Sequence, residues 1–132
     1  MDAAVRQLVC ARAAERCEYC RLPQAAVPLV TFHVEHIIPR QHDGSDEPAN
    51  LAYACPWCNR GKGPNLSGRD LETQTVVPLF NPRSQSWLEH FALRGPIIVG
   101  ITPVGRVTVR VLAMNRADAL EMRAWLLREG VL

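Results

Sequence analysis

Lysine is almost absent from the sequence. Lys62 is the only lysine among fifteen basic residues, and arginine supplies the other fourteen. Arginine can form bidentate hydrogen bonds with phosphate groups, so its excess could reflect a nucleic-acid partner. A biased genomic base composition would give the same excess, so both interpretations stay open. The formal net charge of +2 is by itself weak evidence for a polyanionic partner.

Long apolar runs are absent too. No stretch approaches the roughly 18 consecutive apolar residues of a membrane-spanning helix, so we expect no membrane association. Residues 1–17 lack the apolar segment of a secretion signal. We therefore expect a cytoplasmic protein. In that reducing compartment, paired cysteines are more often metal ligands than disulfides.

Hydrophobic patterning predicts a small α+β protein. The 132 residues favour a single domain over residues 1–132, with a chemical core at about 16–65 and a supporting extension at about 80–132. Leu51–Cys55 is ordered but of undecided type. In the first half, the pattern predicts a helix over Ala3–Arg16, a strand over Leu29–Ile38 and a short helix from about Cys58. In the second half, it predicts a helix over Ser84–Phe91 and two strands in Pro96–Asn115 around a turn at Thr102–Gly105. A final helix is predicted over Arg116–Glu129, with Asn115 as its cap.

Four cysteines are arranged as two Cys-x-x-Cys pairs, Cys17 with Cys20 and Cys55 with Cys58, and 34 residues separate the pairs. Two such turns deliver four thiolates to a tetrahedral zinc ion. The alternatives are two disulfides, four buried thiols or a redox pair, although a duplicated pair at this distance argues against redox chemistry. A four-sulfur site has no open coordination position, so we expect a structural zinc ion.

The segment "HVEHIIPR", His33–Arg40, lies between the two thiol pairs. A single histidine in a strand is usually structural. Glu35, however, is a charged residue in the otherwise apolar run "VTFHVEHII", and an ionised carboxylate there needs a partner, for which a metal cation is one candidate. Strand alternation places His33 and Glu35 on one side and His36 on the other.

Two asparagines follow, Asn50 fourteen residues after His36 and Asn59 nine residues after Asn50. Either one alone could be a turn or cap residue. Taken with the Glu-His pair and the thiols, "HVEHIIPRQHDGSDEPANLAYACPWCNRGKG" resembles the HNH endonuclease family. The resemblance implies a zinc-stapled ββα-metal core (HNH or His-Me finger), here with an N-terminal helix and a C-terminal β-hairpin plus helix. The text from "NPRSQSWLEHF" onward resembles the extension of many small bacterial members.

The resemblance also implies roles for individual residues. His36 matches the general base that activates water, and Asn50 matches the residue that organises the loop and orients this base. Glu35 and Asn59 match the ligands of the catalytic divalent ion. Asparagine at the last motif position makes this chain an H-N-N variant, which favours Mg²⁺ or Mn²⁺. His33 could be a third or outer ligand, or simply a packed residue.

The implied reaction is hydrolysis of DNA to 5′-phosphate and 3′-hydroxyl ends, with RNA left open as a substrate. Candidate phosphate contacts are Lys62, Arg60, Arg40 and His42, for which a solvated surface is the competing interpretation. The segment "HDG", His42–Gly44, stands where many relatives have a Gly-Gly loop, and Asp43 adds negative charge near the expected phosphate path. Another interpretation of the whole chain is a non-catalytic zinc module that binds nucleic acid or protein. Monomer and homodimer both stay open.

Overall fold

The computed structural model describes residues 2–132, and within this range its regular elements confirm the predicted α+β class. Over these described residues, five α-helices and three two-stranded antiparallel sheets follow one another. The elements are α1 (Ala3–Arg12), β1 (His33–His36), β2 (Leu51–Ala54), α2 (Pro56–Lys62), β3 (Ser67–Arg69), β4 (Val76–Pro78), α3 (Trp87–His90), β5 (Phe91–Arg94), β6 (Ile97–Gly100), α4 (Pro103–Val111) and α5 (Ala117–Arg128). No helix in residues 2–132 has both the length and the apolar character to cross a membrane.

The strands β1 and β2 and the helix α2 form a ββα unit. His33 pairs with Ala54 and His36 pairs with Leu51, so the pairing ends at His36. All four residues of β2 are buried, and α2 follows at once because Cys55 caps it and proline occupies its first turn, where no amide hydrogen is needed. The undecided segment Leu51–Cys55 is therefore a strand followed by a helix cap.

Two predicted elements in the first half of the chain were too long. α1 ends at Arg12 and not at Arg16, because Ala14 and Glu15 adopt left-handed conformations with φ of 54° and 56°. The predicted strand Leu29–Ile38 is paired only over His33–His36, since β2 offers four partners. The guanidinium of Arg12 donates to the main-chain oxygens of Pro48, at 2.7 Å, and Leu51, so the shortened helix holds the start of β2.

The prediction of two strands around Thr102–Gly105 was wrong. The observed hairpin, β5 and β6, lies earlier in the chain, and residues 103–111 form α4. Thr102 caps this helix by accepting a hydrogen bond from the amide of Gly105 at 3.0 Å, and Pro103 stands at its start. The helix predicted over Ser84–Phe91 is reduced to Trp87–His90, and Phe91 already begins β5.

The final helix was predicted correctly to within one residue at each end, but its cap was not. Arg116 occupies the cap position. The side chain of Asn115 instead accepts from the amide of Ile98 at 2.9 Å and donates to the carbonyl of Ile98 at 2.8 Å. Asn115 therefore joins the segment before α5 to β6.

The extension is attached to the first Cys-x-x-Cys turn through polar contacts. The indole nitrogen of Trp87 donates to the main-chain oxygen of Tyr19 at 2.7 Å. Arg83 forms an ion pair with the buried carboxylate of Glu18, which also accepts from the amide of Tyr53 at 2.8 Å. The residues between Cys17 and Cys20 are thus held from both β2 and the extension.

Candidate active site

The four predicted zinc ligands converge. The sulfur atoms of Cys17, Cys20, Cys55 and Cys58 all lie within 4.8 Å of one another, and all four residues are buried. The amides of Cys20 and Cys58 donate to the sulfurs of Cys17 and Cys55 at 3.5 and 3.4 Å. This arrangement confirms the predicted four-cysteine metal cluster, and its sulfur donors are those that zinc prefers.

The four thiols strongly affect one another's ionisation. Hydrogen bonds from the three neighbouring thiols lower the pKa of Cys55. Hydrogen bonding within the cluster together with burial raises the pKa of Cys58 well above its ordinary value. Four buried thiols at these distances cannot all ionise unless a cation balances their charge, and metal binding releases their protons. With four sulfur ligands, such an ion has no open position for substrate, so this centre is structural.

Glu35, the predicted ligand of the catalytic ion, is buried with only 7% of its surface exposed. The hydroxyl of Tyr19 donates to one carboxylate oxygen, and the other lies 3.2 Å from the ammonium nitrogen of Lys62. Desolvation raises the pKa of Glu35, and the nearby Lys62 and Tyr19 oppose that rise. The buried carboxylate therefore has a partner within the protein.

The structure corrects the predicted role of Lys62. Its side chain is 2% exposed, and its ammonium group also donates to the main-chain oxygens of His36 at 3.1 Å and Ile37 at 2.9 Å. An ammonium group has three protons, and with Glu35 all three have protein acceptors. Lys62 therefore joins the end of α2 to the end of β1, and it does not present its charge to DNA.

His36, the predicted general base, lies at the end of β1 with 18% of its side chain exposed. Its Nε2 is 2.7 Å from a carboxylate oxygen of Asp46, which Arg40 also contacts at 3.1 Å. Hydrogen bonds from His36 and Arg40 lower the pKa of Asp46. Sequence reasoning missed Asp46, because nothing in the polar loop "HDGSDEPAN" indicates which acid folds back onto the strand.

The side chain of Asn50 stabilises the loop between β1 and β2 through hydrogen bonds. Its amide oxygen accepts from the amide of Ile38 at 2.9 Å, and its nitrogen donates to the carbonyls of Ile38 at 3.0 Å and Ser45 at 2.8 Å. Asp43 has a left-handed φ of 64°, which aspartate tolerates better than most residues. A Cβ at Gly44 would overlap the carbonyl oxygen of Ile38.

Asn59, the second predicted ligand of the catalytic ion, lies half-buried on α2. It precedes Lys62 by three residues, so both side chains share one face of the helix, and Lys62 on that face reaches Glu35. Among residues 2–132, the Asn59 side chain has no hydrogen-bond partner. A carboxylate and an amide oxygen on facing elements are the hard donors that Mg²⁺ and Mn²⁺ accept.

The other predicted site residues lie at the surface. His33 is exposed at the opposite end of β1 from His36, so the structure does not bring it to the proposed base. Three predicted phosphate contacts are also exposed, namely Arg40, His42 and Arg60. Arg40 and His42 lie in the short 3-10 helix that follows β1, and Arg60 lies on α2, so all three remain accessible to a ligand.

Residues 17–65 match the model of the HNH endonuclease family. The matched segment begins at the first zinc ligand and ends just beyond α2, so it contains both Cys-x-x-Cys pairs and the ββα unit. This match confirms the resemblance that the sequence predicted. No curated protein and no solved structure matches the chain significantly.

Proposed function

We propose that the chain is a metal-dependent endonuclease that hydrolyses phosphodiester bonds of DNA. The observation that supports this most is the position of His36. It stands at the end of β1, inside the segment that matches the HNH endonuclease model, and an ionised carboxylate holds its ring. A purely structural zinc module would have no need for such a histidine.

In this proposal His36 is the general base. A neutral imidazole has an ordinary pKa near 6.5, so it can accept a proton from water at neutral pH. As the water proton passes to the ring, the water oxygen forms a bond to phosphorus, and the 3′ oxygen leaves with the electron pair of the broken bond and takes a proton from solvent. The products carry 5′-phosphate and 3′-hydroxyl ends. Such base assistance contributes roughly 10² to 10⁴ in rate.

Glu35 and Asn59 would hold the catalytic Mg²⁺ or Mn²⁺. Their oxygen donors suit these ions, and only two protein ligands leave coordination positions for water and phosphate. An ion held there would supply positive charge to offset the negative charge of the reacting phosphate. Lys62 already neutralises Glu35 in part, so we expect weak binding of the divalent ion in the absence of DNA.

The substrate would meet exposed basic side chains around this site. Arg40 and Arg60 are accessible on elements that flank His36, and phosphate contacts of this kind give affinity that falls as salt rises. They carry no base recognition, so we propose weak sequence preference. We extend the proposal to a single cytoplasmic domain over residues 1–132, in which the extension supports the zinc turn through Trp87 and Arg83.

The decisive test is cleavage of supercoiled plasmid by the purified protein with Mg²⁺, with Mn²⁺ and with neither ion. We expect cutting that requires an added ion and that His36→Ala abolishes. Zinc content and circular dichroism of the variant should match those of the unsubstituted protein, because His36 is not one of the four clustered ligands. Equal cutting by His36→Ala would remove the base assignment. If no ion supports cutting but the protein still binds DNA, the non-catalytic zinc module becomes the better description.

A further inference from the structure

We propose that Asp46 is a positioning residue for His36. It accepts a hydrogen bond from the protonated Nε2 and thereby leaves Nδ1 as the nitrogen that receives the proton from water. This inference rests on the proposed nuclease function and deepens it, because it says which ring nitrogen is the base and what holds it. Neither the sequence motif nor the family match assigns a role to this residue.

The contact between the two side chains determines the tautomer. Nε2 of His36 and a carboxylate oxygen of Asp46 are 2.7 Å apart, which is hydrogen-bond distance. An ionised carboxylate can only accept, so Nε2 must carry the hydrogen. In a neutral imidazole the other nitrogen then has the lone pair. Within residues 2–132, Nδ1 of His36 has no hydrogen-bond partner, so it is free to accept from water.

Asp46 is itself held in place from two directions. Arg40 donates to the same carboxylate oxygen from Nη2 at 3.1 Å and from Nε at 3.3 Å, which favours the ionised form. The backbone next to Asp46 is also held, because the side-chain nitrogen of Asn50 donates to the carbonyl of Ser45, the preceding residue, at 2.8 Å. The asparagine of the motif thus acts on the base through the loop, by fixing where Asp46 stands.

An alternative is that the contact between Asp46 and His36 is only a surface ion pair. Two-thirds of the Asp46 side chain is exposed, at 66%, and exposed ion pairs contribute little to stability because solvent screens them. Removing Asp46 should therefore leave the fold intact. A purely structural contact would leave both the tautomer of His36 and the chemical step unchanged, so the two interpretations differ in what can be measured.

The first test is nitrogen NMR of ¹⁵N-labelled protein at alkaline pH, where the tautomers of neutral imidazole can be compared. Comparison with His36→Ala identifies the His36 signals among those of the four histidines. We expect the unsubstituted protein to hold its hydrogen on Nε2, with Nδ1 showing the shift of an unprotonated nitrogen. In Asp46→Ala we expect the two shifts to move toward each other as the tautomers mix. Asp46→Asn, whose amide oxygen still accepts, should retain the original pattern.

The second test is single-turnover cleavage at saturating DNA, which separates the chemical step from binding. Asp46→Ala should slow this step by roughly 10²-fold, the cost of a misplaced catalytic group. Glu47→Ala is the matched control, because it removes the same charge one residue away and its side chain caps nothing. We expect this control to cut at the unsubstituted rate.

Unchanged His36 shifts in Asp46→Ala would overturn the proposal. Cleavage by Asp46→Ala at the unsubstituted rate or faster would also overturn it, and a faster rate would mean that Asp46 blocks the base. The NMR measurement needs no cleavage, so a protein that cuts no DNA would refute the nuclease function while the link between Asp46 and His36 is still decided.

Discussion

The ammonium nitrogen of Lys62 lies 3.2 Å from a carboxylate oxygen of Glu35, and both side chains are buried. This pair joins α2 to β1 inside the matched HNH segment. Both partners were predicted as functional residues, one for the catalytic ion and one for DNA. Their mutual contact also helps to hold the ββα unit together.

We predict that Lys62→Met destabilises the protein by about 3 kcal/mol, the lower end of the cost of leaving a buried charge without its partner. Two main-chain oxygens, those of His36 and Ile37, would lose their donor as well. Equilibrium urea unfolding at neutral pH, with zinc present, measures the change. The double variant Glu35→Gln with Lys62→Met should recover part of this loss, because no unpaired charge remains.

Arg60→Ala is the matched control on the same helix. Arg60 is exposed, so its removal should change stability by no more than about 0.5 kcal/mol while weakening DNA binding and lowering its salt dependence. If Lys62→Met proves as stable as Arg60→Ala and loses DNA affinity instead, then Lys62 faces the substrate and the buried pair is not its main role.

We predict that Cys55→Ser loses the metal and most of the fold. Its sulfur is one of four mutually close donors, and it also accepts the amide of Cys58 at the start of α2. Removing it takes away one ligand and the cap of α2 together. Inductively coupled plasma mass spectrometry should find about one zinc ion per unsubstituted chain and far less in the variant.

Cys10→Ser is the control for a thiol outside the cluster. Cys10 is half-buried on α1, and it is not one of the four clustered cysteines. Its substitution should leave the zinc content unchanged. A Cys55→Ser protein that keeps its full zinc content and its cooperative unfolding would show that the four thiols do not hold the ion.

The parts of the site that depend on short sequence separations could be predicted. The two Cys-x-x-Cys turns, the Glu-His pair and the spaced asparagines stand in a fixed order, and this order is enough to indicate the ββα unit. The conformation of the loop between β1 and β2 could not be predicted in this way. Which acid contacts His36 depends on the two hydrogen bonds that the Asn50 side chain donates, on the one that it accepts, and on a left-handed Asp43. No pattern in the sequence encodes this geometry.

The wrong prediction of two strands around Thr102–Gly105 has a different physical origin. In "VGRVTVRV" the β-branched residues alternate with polar ones, which is typical of a strand. Val107, Thr108 and Val111 are also spaced for one side of a helix, and the cap at Thr102 with Pro103 after it favours that choice. Helix α4 packs closely on β6, where a Cβ at Gly100 would overlap the amide nitrogen of Arg106. Packing therefore overrode the intrinsic preference for a strand.

Trp87 provides a test of how the extension supports the zinc turn. We predict that Trp87→Phe speeds zinc release several-fold, because the indole hydrogen bond to the carbonyl of Tyr19 at 2.7 Å is lost and such a bond contributes about 1 kcal/mol. A chromophoric chelator in excess measures the release rate. Trp125→Phe is the control, since Trp125 is 47% exposed on α5. Equal release by both variants would mean that the hydrogen bond does not stabilise the turn.

Gly44 offers a test of the loop that carries Asp46. We predict that Gly44→Ala slows DNA cleavage by roughly 10²-fold while zinc content stays unchanged, because the added methyl overlaps the carbonyl of Ile38 and forces the loop away from β1. Asp43→Gly, one residue earlier, should cut at least as well as the unsubstituted protein. It relieves a left-handed φ of 64° and removes a negative charge from the path proposed for phosphate.

Plasmid cleavage and zinc analysis on both variants measure these effects. Full activity in Gly44→Ala would show that the loop need not stay in this position for catalysis, and it would weaken every role assigned here to Asp46 and Asn50.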